Sequence, residues 1–280
     1  MDKSIERLGQ DLARASYAET TRKAYVRTAV ELAKRCGKPL AELTRDDLRG
    51  YVDSLGGGNL SPHQQASRFG AVLFLFRRTL GRPELVSFIK FPRRHSPLPS
   101  VLSLDEVNAL LRALRHRRYQ AIAMVMYGAG LRISEALALE VRDIDGARGV
   151  LQVRHGKGNK AREAKLSPTL YEWLRQYWAK ERPPQPYLFA SPKTGKLPLR
   201  STVRKAIARA AKEAWIKKRV TPHTLRHSFA THLLDEGTDV HVVRELLGHA
   251  SLSSTARYAR VTQKRVRETP SPLDLLPQRR

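Results

Sequence analysis

Apolar residues in the first ninety positions recur at helical spacing. Ala24, Tyr25, Ala29, Leu32 and Ala33 share one stripe, which stops at Gly37, a residue suited to a left-handed C-terminal cap. Thr44 precedes a second run carrying Leu48, Val52 and Leu55, which Gly56, Gly57 and Gly58 break. Ser61 followed by Pro62 opens a third run, which carries Phe69, Val72, Leu73 and Phe76 and ends near Gly81. The pattern then lapses. Phe91 to Ser100 holds three prolines and two arginines among few apolar residues, a composition suited to an extended linker.

Helical patterning resumes at Ser103, whose spacing to Glu106 is that of a capping box, ahead of Val107, Leu110, Leu111 and Leu114. The apolar stretch Tyr119 to Tyr127 predicts a buried helix. Gly149 to Arg154 alternates with period two and Ala161 to Leu166 is its expected partner strand, with His155 to Lys160 as the turn. Further helices are predicted over Leu170 to Lys180, Val203 to Trp215, Leu225 to Leu234 and Val240 to Leu247. The expected fold is mainly α, of the α+β class: a helical N-terminal domain over 1–90, a linker over 91–102, a mostly helical domain with a small antiparallel sheet over 103–262, and a tail over 263–280.

Charge adds a partner to this picture. The chain carries 52 Lys and Arg against 26 Asp and Glu, a formal charge of +26. Folding does not need such an imbalance, and self-repulsion opposes it, so a polyanion is the expected partner. Residues 1–90 hold 16 basic and 10 acidic side chains and the remainder 36 and 16, so the second domain is the stronger candidate for lying on a phosphate backbone. Cys36 is the only cysteine, which excludes an intrachain disulfide and suits a reducing compartment. The N-terminus shows no apolar signal core and apolar runs are far too short to span a bilayer, so a cytoplasmic protein without membrane association is expected.

Four local patterns carry possible chemistry. Gly130-Leu131-Arg132-Ile133-Ser134-Glu135 places an arginine at a glycine-opened helix start. Gly156-Lys157-Gly158 sets a lysine between glycines at the expected strand turn, without the spacing of a phosphate-binding P-loop. Thr221-Pro222-His223-Thr224-Leu225-Arg226 begins a helix whose first turns project an imidazole and a guanidinium from one face, a plausible anion site. Leu246-Leu247-Gly248-His249 precedes Tyr258 by nine residues. Each alone also has a bland reading: a surface arginine beside a cap, a tight turn with a solvated charge, a polar helix start, or a structural histidine and tyrosine. His223 and His227 also have the i,i+4 spacing of metal ligands, but no glutamate lies between them and no third ligand is evident. Neither metal nor cofactor is expected.

Taken in order, these patterns resemble the tyrosine recombinase family, the phage integrases and their Xer-like relatives: arginine in G-x-R-x-S-E, a lysine in a β-hairpin, H-x-x-R, L-G-H and then tyrosine. The resemblance runs from about Leu104 to Tyr258 and extends loosely to the N-terminal helices. One departure is Ala259-Arg260 after the tyrosine, where many relatives have threonine and histidine. The resemblance implies a two-domain, C-shaped clamp on double-stranded DNA and a catalytic set of Arg132, Lys157, His223, Arg226, His249 and the nucleophile Tyr258.

Cutting a phosphodiester without metal needs a nucleophile, an acid for the leaving oxygen, and positive charge around a pentavalent phosphorus. By family analogy Tyr258 attacks to give a 3′-phosphotyrosyl bond and a free 5′-hydroxyl, and His223 takes its proton. Arg132 and Arg226 hold non-bridging oxygens, His249 adds a hydrogen bond, and Lys157 protonates the departing 5′-oxygen. The ester energy is kept, so rejoining needs no ATP. Recombination by a tetramer on DNA is implied by the resemblance alone, with the biological role either integration of a mobile element or Xer-like resolution. In relatives the segment beyond the tyrosine docks on a neighbouring protomer, and the cluster Leu273, Leu275 and Leu276 between Pro272 and Pro277 is the candidate coupling element. A type IB topoisomerase and a non-catalytic DNA-binding regulator remain as alternative readings.

Overall fold

The computed structural model describes residues 2–56, 60–92, 100–154 and 161–248. The chain divides into two compact units, Met1–Pro97 and Leu98–Arg280.

The first unit is all helical. Helix α1 (Lys3–Arg14), which the apolar pattern above did not single out, starts at Asp2 and buries Ile5, Leu8 and Leu12. One Asp2 oxygen caps the helix through the Ser4 N–H at 2.8 Å, and the other accepts from Leu40 N–H at 2.8 Å, fastening the chain start to a later turn. Helix α2 (Glu19–Cys36) ends at Gly37 with φ +64°, as its stripe predicts. Helix α3 (Arg45–Gly56) begins with a reciprocal pair, Thr44 N–H to Asp47 and Asp47 N–H to Thr44 Oγ1. Helix α4 (Pro62–Phe74) has the full Ser61–Gln64 capping box and runs into a π-helical turn over Leu75–Thr79. Leu8, Leu32, Leu40, Leu48 and Phe76 are completely buried at the centre of this unit.

The second unit surrounds one large core, with a smaller cluster beneath its last two described helices. Helix α5 (Leu104–Ala113) carries the expected Ser103–Glu106 capping box. Helix α6 (Arg117–Gly128) is buried along Ala121, Ile122, Ala123, Val125 and Met126, whereas Tyr119, Met124 and Tyr127 are half-buried. The short α7 (Ile133–Leu137) leads to a three-stranded antiparallel sheet: β1 (Ile144–Asp145), β2 (Val150–Val153) and β3 (Arg162–Lys165), in that order. Alternation gives two of these strands; β1 is too short to leave a pattern. Leu151 pairs with Ala164 and Val153 with Arg162, which puts Leu151, Val153 and Ala164 in the core, while Gln152 bonds Glu163 on the outer face at 2.8 Å.

Helices α8 (Pro168–Glu181), α9 (Arg200–Glu213), α10 (Pro222–Asp235) and α11 (Val240–Leu247) complete the unit. Helix α9 stops short of the expected Trp215, which takes a left-handed φ of +55° and stands exposed. Helix α10 crosses the core and is held from both sides. Ser228 Oγ accepts the Leu102 N–H at 2.9 Å, and the His232 ring bridges Tyr127 Oη at 2.8 Å and Leu102 O at 2.9 Å. That anchoring fixes the helix whose first two turns carry His223 and Arg226.

Candidate active site

The site begins at a turn only glycine tolerates. Gly130 has φ +64°, and a Cβ there would lie 2.5 Å from the Phe229 ring. The turn delivers Arg132 to the N-cap of α7, where its backbone N–H donates to Glu135 Oε2 at 2.8 Å and its guanidinium to Oε1 at 2.6 Å. Arg226 arrives from α10 almost wholly buried. It donates through Nη1 to Gly130 O at 2.6 Å and through Nη2 to Leu247 O at 2.5 Å. Its Nη1 lies 3.5 Å from Glu135 Oε2. Arg132 Nη2 also reaches Gly248 O at 3.4 Å. Two guanidiniums distant in sequence therefore converge on one buried carboxylate, oriented by the carbonyls of the α6–α7 turn and of the α11 end.

A third arginine joins them. Arg162, at the start of β3, donates through Nη2 to Glu135 Oε2 at 2.8 Å, and its guanidinium is lodged against Gly248, where a Cβ would lie 2.5 Å from Nε. The Glu135 side chain is 1% exposed. One carboxylate thus serves three guanidiniums, leaving a net positive charge in a largely dry place. Such a surplus would be costly in a purely structural cluster, and it suits a site that receives an anion.

His223 stands at the open end of this cluster, in the first turn of α10. The Thr221–Thr224 capping box organises that end. Partial desolvation of the ring, followed by the charges of Arg226, Arg132 and Arg204, lowers the His223 pKa below the ordinary imidazole value. That shift favours the neutral ring, the form a proton acceptor needs. Beside the same helix start, Arg204, Lys205 and Arg219 line an open cleft of about 350 Å³ together with Ser201, Thr221 and Pro222. None of these three cations has a carboxylate partner among the described residues.

Of the six residues singled out in the sequence, the structure brings Arg132, His223 and Arg226 together. Lys157, His249 and Tyr258 lie outside the described residues, as do the expected turn 155–160 and the tail with Leu273, Leu275 and Leu276. Strands β2 and β3 end and begin beside that turn, and His249 follows in sequence directly on Gly248, whose carbonyl meets Arg132. Sequence reasoning gave no role to Glu135, Arg162 or Arg204. A signal existed for Arg162: it shares the inward face of β3 with Ala164, an unusual place for a guanidinium.

The phage integrase family model matches residues 100–265, and that of the phage integrase N-terminal SAM-like domain matches residues 5–84. The integrase/recombinase y4qK of Sinorhizobium fredii is 39% identical over 274 residues, covering 97% of this chain and 89% of that protein. A tyrosine recombinase of Thermosipho africanus is 35% identical over 277 residues, covering 94% of this chain and 97% of that protein. Among solved structures, the XerH site-specific recombinase bound to palindromic difH substrate superposes with a TM-score of 0.73 at 20% identity, covering 98% of this chain and 96% of that one, a likeness of fold.

Proposed function

Because the chain belongs to the phage integrase family of tyrosine recombinases, which carry out site-specific DNA recombination, we propose that the Glu135 cluster is its phosphate-cutting centre. Arg132 and Arg226 hold the non-bridging oxygens of the scissile phosphate, His223 accepts the Tyr258 proton, His249 adds a hydrogen bond, and Lys157 protonates the 5′-oxygen that leaves. The observation that carries this reading is the convergence of Arg132 and Arg226 on Glu135 beside His223 at the start of α10. A guanidinium cannot lose its proton at any working pH, so two of them supply constant charge to a phosphorane that gains it.

In this reading the protein acts on double-stranded DNA in the cytoplasm. It does so as a tetramer, with two duplexes exchanged through 3′-phosphotyrosyl intermediates, as integrase of a mobile element or as an Xer-like resolvase. Both units are basic, which suits a DNA-binding protein, and the Arg204–Arg219 cleft offers cations without a carboxylate partner among the described residues to a neighbouring phosphate. Residues 1–90 serve as the core-binding domain and 103–262 as the catalytic domain, with 263–280 coupling protomers.

The test is covalent capture. Wild-type protein is incubated with a random-sequence library of nicked duplexes, whose short 3′ fragment diffuses away after cleavage and traps the adduct. Sequencing the trapped DNA returns the preferred site. Adducts enriched in one sequence support the reading; no adduct removes it, and adducts without enrichment favour a relaxing enzyme.

Capture also has an expected pH profile. A base that must be neutral loses activity as pH falls through its pKa, and the His223 value lies below the ordinary one. The midpoint of the fall in adduct formation on acidification should therefore lie below about pH 6.5, the unperturbed imidazole value. Arg204→Ala removes one of the charges that depress His223 and should move that fall to higher pH. An unchanged profile in Arg204→Ala would separate Arg204 from the base.

A further inference from the structure

Glu135 Oε2 is contested. It accepts the Arg132 N–H and Arg162 Nη2, both at 2.8 Å, while Arg226 Nη1 stands off at 3.5 Å and gives its short bond to Gly130 O instead. Arg162 is otherwise poorly satisfied. Its Nε and Nη1 are buried and have no hydrogen-bond partner among the described residues, so it keeps a charged, desolvated group in place for the sake of one bond to Glu135. Buried donors without partners are uncommon and costly, so an arginine retained this way calls for a purpose. Methionine would fill much the same space without the cost.

We propose that Arg162 is a positioning residue for the phosphate clamp: by occupying Glu135 Oε2 it keeps Arg226 on the Gly130 and Leu247 carbonyls, aimed at the phosphate. Without it, Oε2 loses one of its two donors and is the carboxylate oxygen that Arg226 meets among the described residues, and Arg226 would turn 3.5 Å of separation into a close ion pair. Drawn onto Oε2, Arg226 would leave the Gly130 and Leu247 carbonyls that set the direction of its fork. Arg162 takes that oxygen in its place. Its position on β3, opposite Val153 and beneath Gly248, is set by the sheet and by α11. This inference rests on the reading of Arg132 and Arg226 as holders of the non-bridging oxygens.

The experiment uses the full chain and the nicked duplex recovered by covalent capture, made with either the natural scissile phosphate or a methylphosphonate there. The methyl group replaces one non-bridging oxygen and removes the charge that the arginines answer. Arg162→Met should slow adduct formation about 10- to 100-fold on phosphate, less than direct loss of a donor, with unchanged DNA affinity. On methylphosphonate the defect should shrink to under about threefold, since the clamp is no longer asked for charge. Arg162→Lys keeps a cation on Oε2 and guards against a folding failure of the methionine variant. It should show the same substrate dependence with a loss at least several-fold smaller. Equal losses on both substrates, or none on phosphate, would overturn the proposal, as would a lysine variant no better than methionine. Arg132→Ala and Arg226→Ala on the same pair keep the two readings apart. If their defects do not shrink on methylphosphonate, the clamp reading fails; if theirs shrink and that of Arg162→Met does not, only the role of Arg162 fails.

Discussion

Tyr258→Phe should form no covalent adduct with DNA under conditions where the wild type is fully trapped, while its affinity for the same duplex stays within about twofold. The two halves of that expectation have separate physical causes. The covalent bond is made by the phenolic oxygen, and a phenyl ring has nothing to put in its place; water, the remaining nucleophile, would leave no protein attached. Affinity comes instead from counterions released along the DNA as a chain of formal charge +26 takes up its phosphates, to which one neutral hydroxyl contributes little. Gel electrophoresis under denaturing conditions reads the first half and a salt-dependent mobility shift the second. A surviving adduct would hand the nucleophile to another residue, with the eight tyrosines of the described segments as the first suspects. A large loss of affinity would mean that Tyr258 shapes the DNA-binding surface rather than the chemistry.

The chain's local chemistry was legible in advance wherever one short stretch determines the outcome. Ser61 with Gln64 and Ser103 with Glu106 cap their helices as their spacing predicts, and Gly37 ends α2 in the left-handed region. Thr221 and Pro222 open α10 and carry His223 and Arg226 on successive turns. Legibility failed where the cause is tertiary. Trp215 continues the apolar run of α9, yet the helix ends at Glu213 because the chain turns there toward α10, with Ile216 packed against the core. The π-helical turn after Phe74 leaves no mark in the pattern of apolar positions. Helix α1 is a different case. Its Asp2 cap and Ile5, Leu8, Leu12 stripe were present, and a short run at a chain start simply gives few periods to count.

The site divides in the same way. Arg132, His223 and Arg226 sit in motifs whose residues are neighbours in sequence. The Glu135 carboxylate joins them across 27 residues to Arg162 and across a longer span to Arg226. A buried ion cluster of that kind writes no period into a sequence, because each of its members looks like a solvated surface charge until the fold encloses it. Only the inward register of Arg162 on β3 departs from what a surface residue would do.

Glu135→Ala should be strongly destabilising, costing about 3–5 kcal/mol, because it strands partnered charges in a place from which water is excluded. The side chain is 1% exposed and takes ion pairs from Arg132, Arg162 and Arg226, of which Arg162 and Arg226 are themselves largely buried. Removing the carboxylate leaves three guanidiniums repelling one another with no anion between them, and the Arg132 N–H loses the acceptor that starts α7. Against a typical domain stability of about 5–15 kcal/mol, the variant keeps its fold with little to spare. Urea denaturation of wild type and variant measures the difference, and a shift below about 1 kcal/mol would show that the cluster is solvated in solution. The surplus charge supplies a second, more specific readout. With its internal anion gone, the cluster becomes a receptor for an external one, so inorganic phosphate should stabilise Glu135→Ala more than it stabilises the wild type, through preferential binding to the folded form. Chloride at matched ionic strength controls for screening, which acts on every charge of the chain alike. If phosphate and chloride stabilise the variant equally, the three guanidiniums do not gather an anion between them, and the electrostatic basis of the clamp is lost with that result.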